Sequence, residues 1–414
     1  MTGLTRCARC PALFVCALFV CLLLAFAGVQ PVSANQAAGS TDPGFAAWLQ
    51  DLREEALAKG ISAATLDAAL KDVAPVARVI EKDRSQREFT LTFTRYLRSS
   101  VTETRVERAQ RLMDEHGDLL RRIEARYGVQ PRFLVSFWGL ESNFGDYTGG
   151  FSVIRALATL AHDSRRSAFF RAELLYALQI LDEGHITLDR MLGSWAGAMG
   201  QVQFIPSTFV NFAVDFDGDG RRDIWNSLPD IFASAANYLS QEGWRGDETW
   251  GREVALPPEF DFGLASLKIA KPLEDWARVH GLRKADGSPL PRADLDASIV
   301  LPSGHRGPAF LVYRNYRTIL IWNRSILYAL AVGHLADRIA GAAPLSALPE
   351  EQPISLKAIE EMQALLNAKG FDAGEPDGLV GRQTRAALSA YQRAIGVPAD
   401  GYPTAEIIER LRRE

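Results

Sequence analysis

The chain has 414 residues, of which 47% are hydrophobic and 23% are charged. This composition is ordinary for a globular protein of two or three domains and excludes a wholly disordered chain. The formal net charge of −4 gives no electrostatic reason to expect a nucleic acid as partner.

The N-terminus has the pattern of a cleaved export signal. Arg6 and Arg9 precede an apolar run over residues 11–28, and residues 32–34, Val-Ser-Ala, are small at the positions that a signal peptidase reads. We therefore predict a signal peptide over residues 1–34 and a periplasmic mature protein without a stable membrane span. A retained membrane anchor is the alternative, but the run is short for a span and no basic stop-transfer segment follows it.

All four cysteines lie inside this predicted signal, at Cys7, Cys10, Cys16 and Cys21. The mature chain would therefore contain no disulfide, thiolate metal site or cysteine nucleophile. Lipoprotein anchoring is not expected, because Cys16 and Cys21 each follow a Phe-Val pair rather than small residues.

Helical periodicity dominates the chain that follows. Residues 35–43 are small and polar and predict a flexible start. Apolar residues then recur at helical spacing across residues 45–70 and 89–97. Residues 106–127 have the pattern of one long helix, with Gly128 as its stop. The fold is therefore predicted to be mainly α.

A buried helix is predicted from Pro131, because the residues after it are apolar nearly all round. Further helices are predicted over residues 168–183, 231–241 and 318–339. Between residues 244 and 316, frequent Pro and Gly interrupt the pattern, and two short apolar runs at 298–301 and 309–313 resemble strands. We predict one helical domain over residues 44–340 with a small α+β insertion.

The C-terminal part is predicted to be a separate small domain. Residues 341–353 are rich in Ala, Pro and Glu, lack periodicity and predict a linker. Residues 354–412 alternate helical patterns with Gly-containing turns and predict a compact three-helix domain.

The strongest candidate for chemistry is Glu141, in the segment Trp-Gly-Leu-Glu-Ser-Asn-Phe-Gly at residues 138–145. A carboxyl group at the end of a buried helix is desolvated, which raises its pKa and keeps it protonated near neutral pH, as a general acid requires. The alternative is a helix-end glutamate that faces water, and this segment alone does not decide between the two.

A second segment, residues 193–207, combines small residues with uncharged hydrogen-bonding groups. Its glycines allow close backbone approach, and Ser194, Gln201 and Gln203 offer hydrogen bonds without charge. This mixture suits a sugar ring, which presents hydroxyls at its rim and C–H groups on its faces. The alternative is a tight helix crossing in which the glycines serve packing only.

A third segment, residues 322–329, places Asn323 before an apolar helix. An Asn in this position usually caps the helix, but its amide also suits a substrate amide or a water molecule.

An acidic loop at residues 215–223 resembles the start of an EF-hand, although Asn226 stands where an EF-hand has its last Glu. The predicted ligands are the carboxylates of Asp215, Asp217, Asp219 and Asp230 and the backbone carbonyl of Arg221. An acidic surface turn is the alternative. The loop itself contains four aspartates within nine residues, Asp215, Asp217, Asp219 and Asp223, which would repel one another without a cation. This repulsion favours a structural calcium ion.

Together these segments resemble the lytic murein transglycosylases of the B type, over residues 45–339. The matching text is Glu-Ser-Asn-Phe-Gly, Gly-Ser-Trp-Ala-Gly-Ala-Met-Gly-Gln with Gln-Phe-Ile-Pro-Ser, and Trp-Asn-Arg-Ser-Ile-Leu-Tyr-Ala. The resemblance implies a lysozyme-like helical catalytic domain with Glu141 as catalytic acid and base. It implies the substrate-binding residues Ser194, Gln203, Asn323 and Tyr96. It also implies the calcium loop, here with one extra residue before Asp230.

Residues 354–412 resemble a type 1 peptidoglycan-binding domain. The matching text is Met-Gln-Ala-Leu-Leu at 362–366, Asp-Gly-Leu-Val-Gly-Arg-Gln-Thr at 377–384, Tyr-Gln at 391–392 and Asp-Gly at 400–401. The Asp-Gly pairs supply turns, and Thr384 and Gln392 are expected on successive helices. A small helical module that binds something else is the alternative, because turn residues dominate the motif.

The resemblance also implies how one carboxyl group could suffice. Most glycosidases use two, but Glu173 and Glu183 are predicted at the surface. In the family, one Glu protonates the bond between N-acetylmuramic acid and N-acetylglucosamine. The substrate's C6 hydroxyl then attacks, which leaves 1,6-anhydromuramoyl ends and requires no cofactor for the chemistry. The implied partner is the peptidoglycan glycan strand, and the implied enzyme is a monomer. A hydrolytic muramidase and a non-catalytic wall-binding protein are the alternatives.

Overall fold

A computed structural model describes residues 43–85 and 90–414. The predicted signal peptide at residues 1–34 lies outside these ranges, as does the predicted flexible start apart from Pro43, which begins the first helix. Within the described ranges, no helix is both long and apolar enough to cross a membrane.

Helices build most of the N-terminal part of the protein, as predicted. They are α1 (Pro43–Ala58), α2 (Ala63–Ala69), α3 (Ala77–Arg84), α4 (Phe93–Ser100), α5 (Glu103–Glu115), α6 (Gly117–Tyr127), α7 (Pro131–Ser142), α8 (Val153–His162), α9 (Ser167–Asp182), α10 (Pro206–Phe212), α11 (Leu228–Gln241), α12 (Leu273–Arg278), α13 (Arg314–Trp322) and α14 (Ile326–Ile339). The predicted buried helix is α7, which packs on α14, where Ser136 Oγ donates to Val332 O at 2.8 Å.

The single helix predicted over residues 106–127 is wrong, because the structure divides it into α5 and α6. His116 leaves helical geometry, with φ −101° and ψ 16°, and Gly117 begins the second helix. Glycine is a poor helix former, which favours a break at this point. The apolar periodicity continues across the break, so the sequence pattern does not reveal it.

The helix predicted over residues 318–339 is also divided. Asn323 has an extended backbone, with φ −142° and ψ 118°, and its side-chain Oδ1 accepts a hydrogen bond from Ser325 N at 3.0 Å. Such a local side-chain bond competes with helical hydrogen bonding. The residue that caps α14 is therefore Ser325, whose Oγ accepts from Tyr328 N, and not Asn323.

The predicted α+β insertion is confirmed as an antiparallel five-stranded sheet with its own apolar core. Its strands are β3 (Gly251–Ala255), β4 (Lys271–Pro272), β5 (Arg283–Lys284), β6 (Asp296–Val300) and β7 (Ala309–Val312), in the order β4-β6-β7-β3-β5. Trp276 of α12 is buried there and donates from Nε1 to Ala297 O at 2.9 Å. A separate short pair, β1 (Phe151–Ser152) and β2 (Leu192–Gly193), lies in the helical part.

The C-terminal part contains the three predicted helices, α15 (Leu356–Ala368), α16 (Arg382–Ala394) and α17 (Ala405–Arg413). Two buried glutamines hold its two Asp-Gly turns: Gln363 Oε1 accepts from Gly378 N at 2.9 Å, and Gln392 Oε1 accepts from Gly401 N at 2.8 Å. The expectation that Thr384 and Gln392 lie on successive helices is wrong. Both lie on α16, because the Gly-containing turn already ends before Thr384.

Residues 341–353 contain no helix or strand but contact the parts on both sides. Glu351 Oε2 accepts from Thr94 N at the start of α4 at 2.7 Å, and Oε1 accepts from Tyr402 Oη at 2.7 Å. The C-terminal part also contacts the inserted sheet unit, where Asp400 Oδ2 accepts from His305 N at 2.8 Å.

Candidate active site

The backbone turn after Glu141 ends α7 and fixes the place of its carboxyl group. Asn143 and Phe144 both have left-handed backbone, with φ 52° and 61°, which is uncommon for residues other than glycine. The Phe144 ring folds back over Gly139, where an added Cβ would lie 2.7 Å from the ring carbon Cε1. The glycine in the candidate segment is therefore needed for this turn.

The Glu141 carboxyl group is half-buried and holds two hydrogen bonds on one oxygen. Oε1 accepts from Trp322 Nε1 at 2.8 Å and from Tyr328 Oη at 2.5 Å. Burial raises the pKa of Glu141 to about 7, and the two hydrogen bonds oppose part of that rise because they favour the ionised form. The group can therefore both give and take a proton near neutral pH.

Trp322 and Tyr328 were not predicted as site residues, although both lie in the segment that contains Asn323. The break between α13 and α14 lets both side chains reach Glu141. The Trp322 ring packs on Phe137 of α7, with ring centroids 4.5 Å apart. The sequence signal that could have identified them was a pair of aromatic residues on either side of a predicted helix start.

Ser194 is buried, and its hydroxyl oxygen shapes the surrounding loop. Its Oγ accepts from Ala196 N at 3.3 Å and from Ala198 N at 3.0 Å. Next to it, an added Cβ on Gly149 would lie 2.1 Å from Gly193 C, so the two backbones are in direct contact. The small residues of this segment therefore serve a close crossing of two loops.

Gln203 presents a different picture, because only half of its side-chain amide is engaged. Its backbone is left-handed at φ 51°, and Nε2 donates to Gly200 O at 2.9 Å and to Thr148 O at 3.1 Å. Its Oε1 accepts no hydrogen bond within the described ranges. The neighbouring Phe204 ring lies 5.4 Å from that of Trp322, which places this loop beside the partners of Glu141.

Gln201, by contrast, is fully engaged in holding the fold. Its Oε1 accepts from Trp138 Nε1 of α7 at 2.7 Å, and its Nε2 donates to Trp225 O at 2.8 Å. Gln201 therefore joins α7, the helix that carries Glu141, to the segment that follows the acidic loop.

Asn323 and Tyr96 are connected to the surroundings of Glu141 through different neighbours. Asn323 directly follows Trp322, and its Nδ2 has no hydrogen-bond acceptor among the described residues. Tyr96 is buried in α4 near Arg105, whose guanidinium donates to Asn143 Oδ1 at 3.4 Å. Among the described residues, Asn323 therefore has an amide donor without an acceptor, and Tyr96 is connected to the turn after Glu141 through Arg105.

The acidic loop brings three of its predicted carboxylates together. Oxygens of Asp215, Asp217 and Asp230 lie within 4.8 Å of one another. Asp230 is buried, which raises its pKa, and its oxygens accept from Phe216 N and Asp223 N. The Asp219 carboxylate turns instead to the side chain of Arg221, Oδ2 to Nη2, at 3.0 Å.

Two ligands bound to one calcium ion at 2.3–2.6 Å lie at most about 5 Å apart, so the cluster of Asp215, Asp217 and Asp230 fits one ion. A cation there would also compensate the buried charge of Asp230.

The surface position predicted for Glu173 is wrong, whereas Glu183 is exposed as predicted. Glu173 is 4% exposed because it lies where α9 packs on α10, and its Oε2 accepts from Ser207 N at 2.9 Å in the first turn of α10. A helix N-terminus stabilises a carboxylate, which explains the burial. Glu183 pairs with Arg222 at 2.5 Å, and neither glutamate hydrogen-bonds to Glu141.

Comparisons with known proteins agree with this arrangement. The family model described as "Transglycosylase SLT domain" matches residues 44–337, and "Putative peptidoglycan binding domain" matches residues 355–411. The chain is 32% identical over 253 residues to the membrane-bound lytic murein transglycosylase B of Escherichia coli (strain K12). The matched region covers 59% of this chain and 67% of that protein.

Solved structures show the same similarity. SltB3 from Pseudomonas aeruginosa, in complex with NAG-anhNAM-pentapeptide, has a TM-score of 0.87 and 47% identity, covering 90% of this chain and 100% of that one. The Escherichia coli lytic transglycosylase Slt35, in complex with calcium, has a TM-score of 0.61 and 27% identity, covering 72% of this chain and 93% of that one.

The chain belongs to the transglycosylase SLT domain family, with the lysozyme-like helical fold that its sequence predicts. Within that family it is a lytic murein transglycosylase of the B type that acts on peptidoglycan and has a C-terminal peptidoglycan-binding domain.

Proposed function

We propose that Glu141 is the single catalytic acid and base of this transglycosylase. The observation that carries this proposal is a half-buried carboxyl group with a pKa of about 7, at the end of α7, next to side chains with free hydrogen-bonding groups. A catalyst that works as acid and then as base is most effective when its pKa lies near the working pH.

In the proposed reaction, Glu141 first protonates the oxygen that joins N-acetylmuramic acid to N-acetylglucosamine, and the bond from that oxygen to C1 of the muramic acid breaks. The acetamido group of the same sugar stabilises the cationic centre. The ionised Glu141 then removes the proton of the C6 hydroxyl, whose oxygen attacks C1. The product carries a 1,6-anhydro ring, no water is consumed, and Glu141 ends protonated as it began.

Four further residues are proposed to bind the glycan. Asn323 Nδ2 and Gln203 Oε1, both without partners within the described part of the chain, supply a donor and an acceptor for the acetamido and hydroxyl groups. The Ser194 hydroxyl can still donate its hydrogen, and Tyr96, buried in α4 beside Arg105, would contribute its phenol group. Fixed donors and acceptors of this kind orient a substrate for attack.

Replacement of Glu141 by Gln tests the central role, because the amide keeps the shape of the side chain but cannot transfer the proton. We expect release of soluble fragments from purified cell-wall sacculi to fall by at least about a thousandfold, while binding to sacculi persists. Glu107→Gln, an exposed position on α5, is the matched control and should retain full activity. Wild-type turnover in Glu141→Gln would refute the assignment.

A structural calcium ion is proposed in the acidic loop. The cluster of Asp215, Asp217 and Asp230 supports it, and Asp219 and the Arg221 carbonyl would complete the ligand set. The solved structure of Slt35, a relative with the same fold, is in complex with calcium. The ion would stabilise the loop, and the proposed chemistry requires no cofactor.

The C-terminal domain is proposed to hold the enzyme, as a monomer, on peptidoglycan glycan strands. The family match and the peptidoglycan fragments bound by SltB3 support this partner. The sequence pattern of residues 1–34 supports export to the periplasm, and the curated relative is named as membrane-bound.

A further inference from the structure

The two oxygens of the Glu141 carboxyl group are not equivalent. Oε1 accepts both hydrogen bonds, from Trp322 Nε1 at 2.8 Å and from Tyr328 Oη at 2.5 Å. Oε2 accepts none from residues 43–85 or 90–414. One oxygen is therefore held by the protein, and the other is left for the substrate.

The indole of Trp322 also favours one oxygen of the carboxyl group over the other as the carrier of the acid proton. An indole N–H can only donate a hydrogen bond, and the carbonyl oxygen of a neutral carboxyl group is a better acceptor than its hydroxyl oxygen. Because Trp322 faces Oε1, the hydrogen bond favours the neutral carboxyl group with its proton on Oε2.

The Trp322 side chain is held in place by neighbouring aromatic rings. Its ring packs against those of Phe137, Tyr238 and Phe204, with centroid distances of 4.5, 5.0 and 5.4 Å. The chain leaves helical geometry directly after Trp322, and Tyr328 lies in the first turn of α14. Side chains locked by packing in this way preorganise a hydrogen bond before substrate binds.

We propose that Trp322 and Tyr328 are positioning residues that hold Glu141 by Oε1, so that Oε2 is the atom that gives the proton to the glycosidic oxygen and later takes the proton of the C6 hydroxyl. This inference rests on the proposed role of Glu141. It adds which oxygen reacts and which residues select it. Both bonds strengthen when the carboxyl group becomes ionised, so they favour proton donation as well as fixing direction.

Trp322→Phe tests the proposal, because phenylalanine keeps an aromatic ring in the stack but lacks the N–H donor. We expect kcat to fall about ten- to a hundredfold with KM changed less than about threefold, since the lost bond acts in the chemical step. Loss of a bond to the ionised form also raises the pKa of Glu141, so the alkaline limb of the kcat profile should move to higher pH. Tyr328→Phe should act in the same direction.

Trp244→Phe is the matched control, because it also removes an indole donor, here to Gln130 Oε1 at 2.9 Å. It should lower stability without moving the pH profile. If Trp322→Phe and Tyr328→Phe both keep the wild-type kcat and pH profile while Glu141→Gln is inactive, the positioning role is refuted and the role of Glu141 stands. If Trp322→Phe does not fold, Tyr328→Phe, which loses one hydroxyl group, decides alone.

Discussion

At the scale of single residues, the sequence predicts the main property of Glu141 but not its setting. A carboxyl group at the end of an apolar helix is expected to be desolvated, and burial does raise its pKa to about 7. Its hydrogen-bond partners could not be predicted, because Trp322 and Tyr328 lie 181 and 187 residues further along the chain. The surface position expected for Glu173 was wrong for a similar reason: helical spacing alone did not reveal that α10 covers it.

The raised pKa of Glu141 has a consequence for stability. The folded protein holds this proton more tightly than the unfolded chain does. The free energy of unfolding therefore falls as pH rises from about 4.5 to about 7, and the reduction stays constant above that range. Glu141→Gln removes the effect. We expect the variant to be more stable than the wild type by about 1–2 kcal/mol at pH 8, after allowance for partial solvent contact, and by much less at pH 5.

Urea unfolding at both pH values, followed by tryptophan fluorescence, measures this difference, with Glu107→Gln as the variant that should show none. An equal effect of Glu141→Gln at pH 5 and pH 8 would mean that the carboxyl group is not desolvated.

At the scale of elements, apolar periodicity predicts helices well and their interruptions poorly. The predicted buried helix is α7, and the predicted insertion is the sheet of β3 to β7. The helix predicted over residues 318–339 did not include the break at Asn323, although Asn323 was expected before an apolar helix. The break depends on a local bond from Ser325 N to the Asn323 side chain, which leaves the apolar pattern unchanged. That break lets Trp322 and Tyr328 both reach Glu141, so it is part of the site.

The acidic loop makes a prediction at this same scale. If Asp215, Asp217 and Asp230 bind calcium, added calcium should raise the melting temperature and a chelator should lower it, because a ligand that binds only the folded form stabilises it. At a free calcium concentration about a hundred times the dissociation constant, the gain is about 2.7 kcal/mol. Differential scanning calorimetry with and without chelator measures it.

Asp215→Asn should abolish most of the response to calcium, whereas Asp275→Asn, an exposed carboxylate on α12, should respond as the wild type does. A wild-type melting temperature that is unchanged by both calcium and chelator would leave the loop as an ordinary acidic turn.

At the scale of the whole molecule, the sequence predicts the helical domain, its insertion and the small C-terminal domain, but not how they meet. Glu351 receives hydrogen bonds from Thr94 and Tyr402, and Asp400 receives one from His305. Isolated charged or polar residues in turns and linkers carry no pattern that identifies such distant partners. The segment with linker composition is thus held in place, and the C-terminal domain rests on the inserted sheet unit.

The central claim is that one carboxyl group, Glu141, cleaves glycan by an internal transfer without water. Mass spectrometry of the muropeptides released by the wild-type enzyme tests it most directly, because a hydrolysed end is heavier than an anhydro end by one water. We predict that the products carry 1,6-anhydromuramoyl ends and that none takes up label when the reaction is run in ¹⁸O-water. Products that are heavier by one water and labelled with ¹⁸O would contradict the account and identify a hydrolytic muramidase.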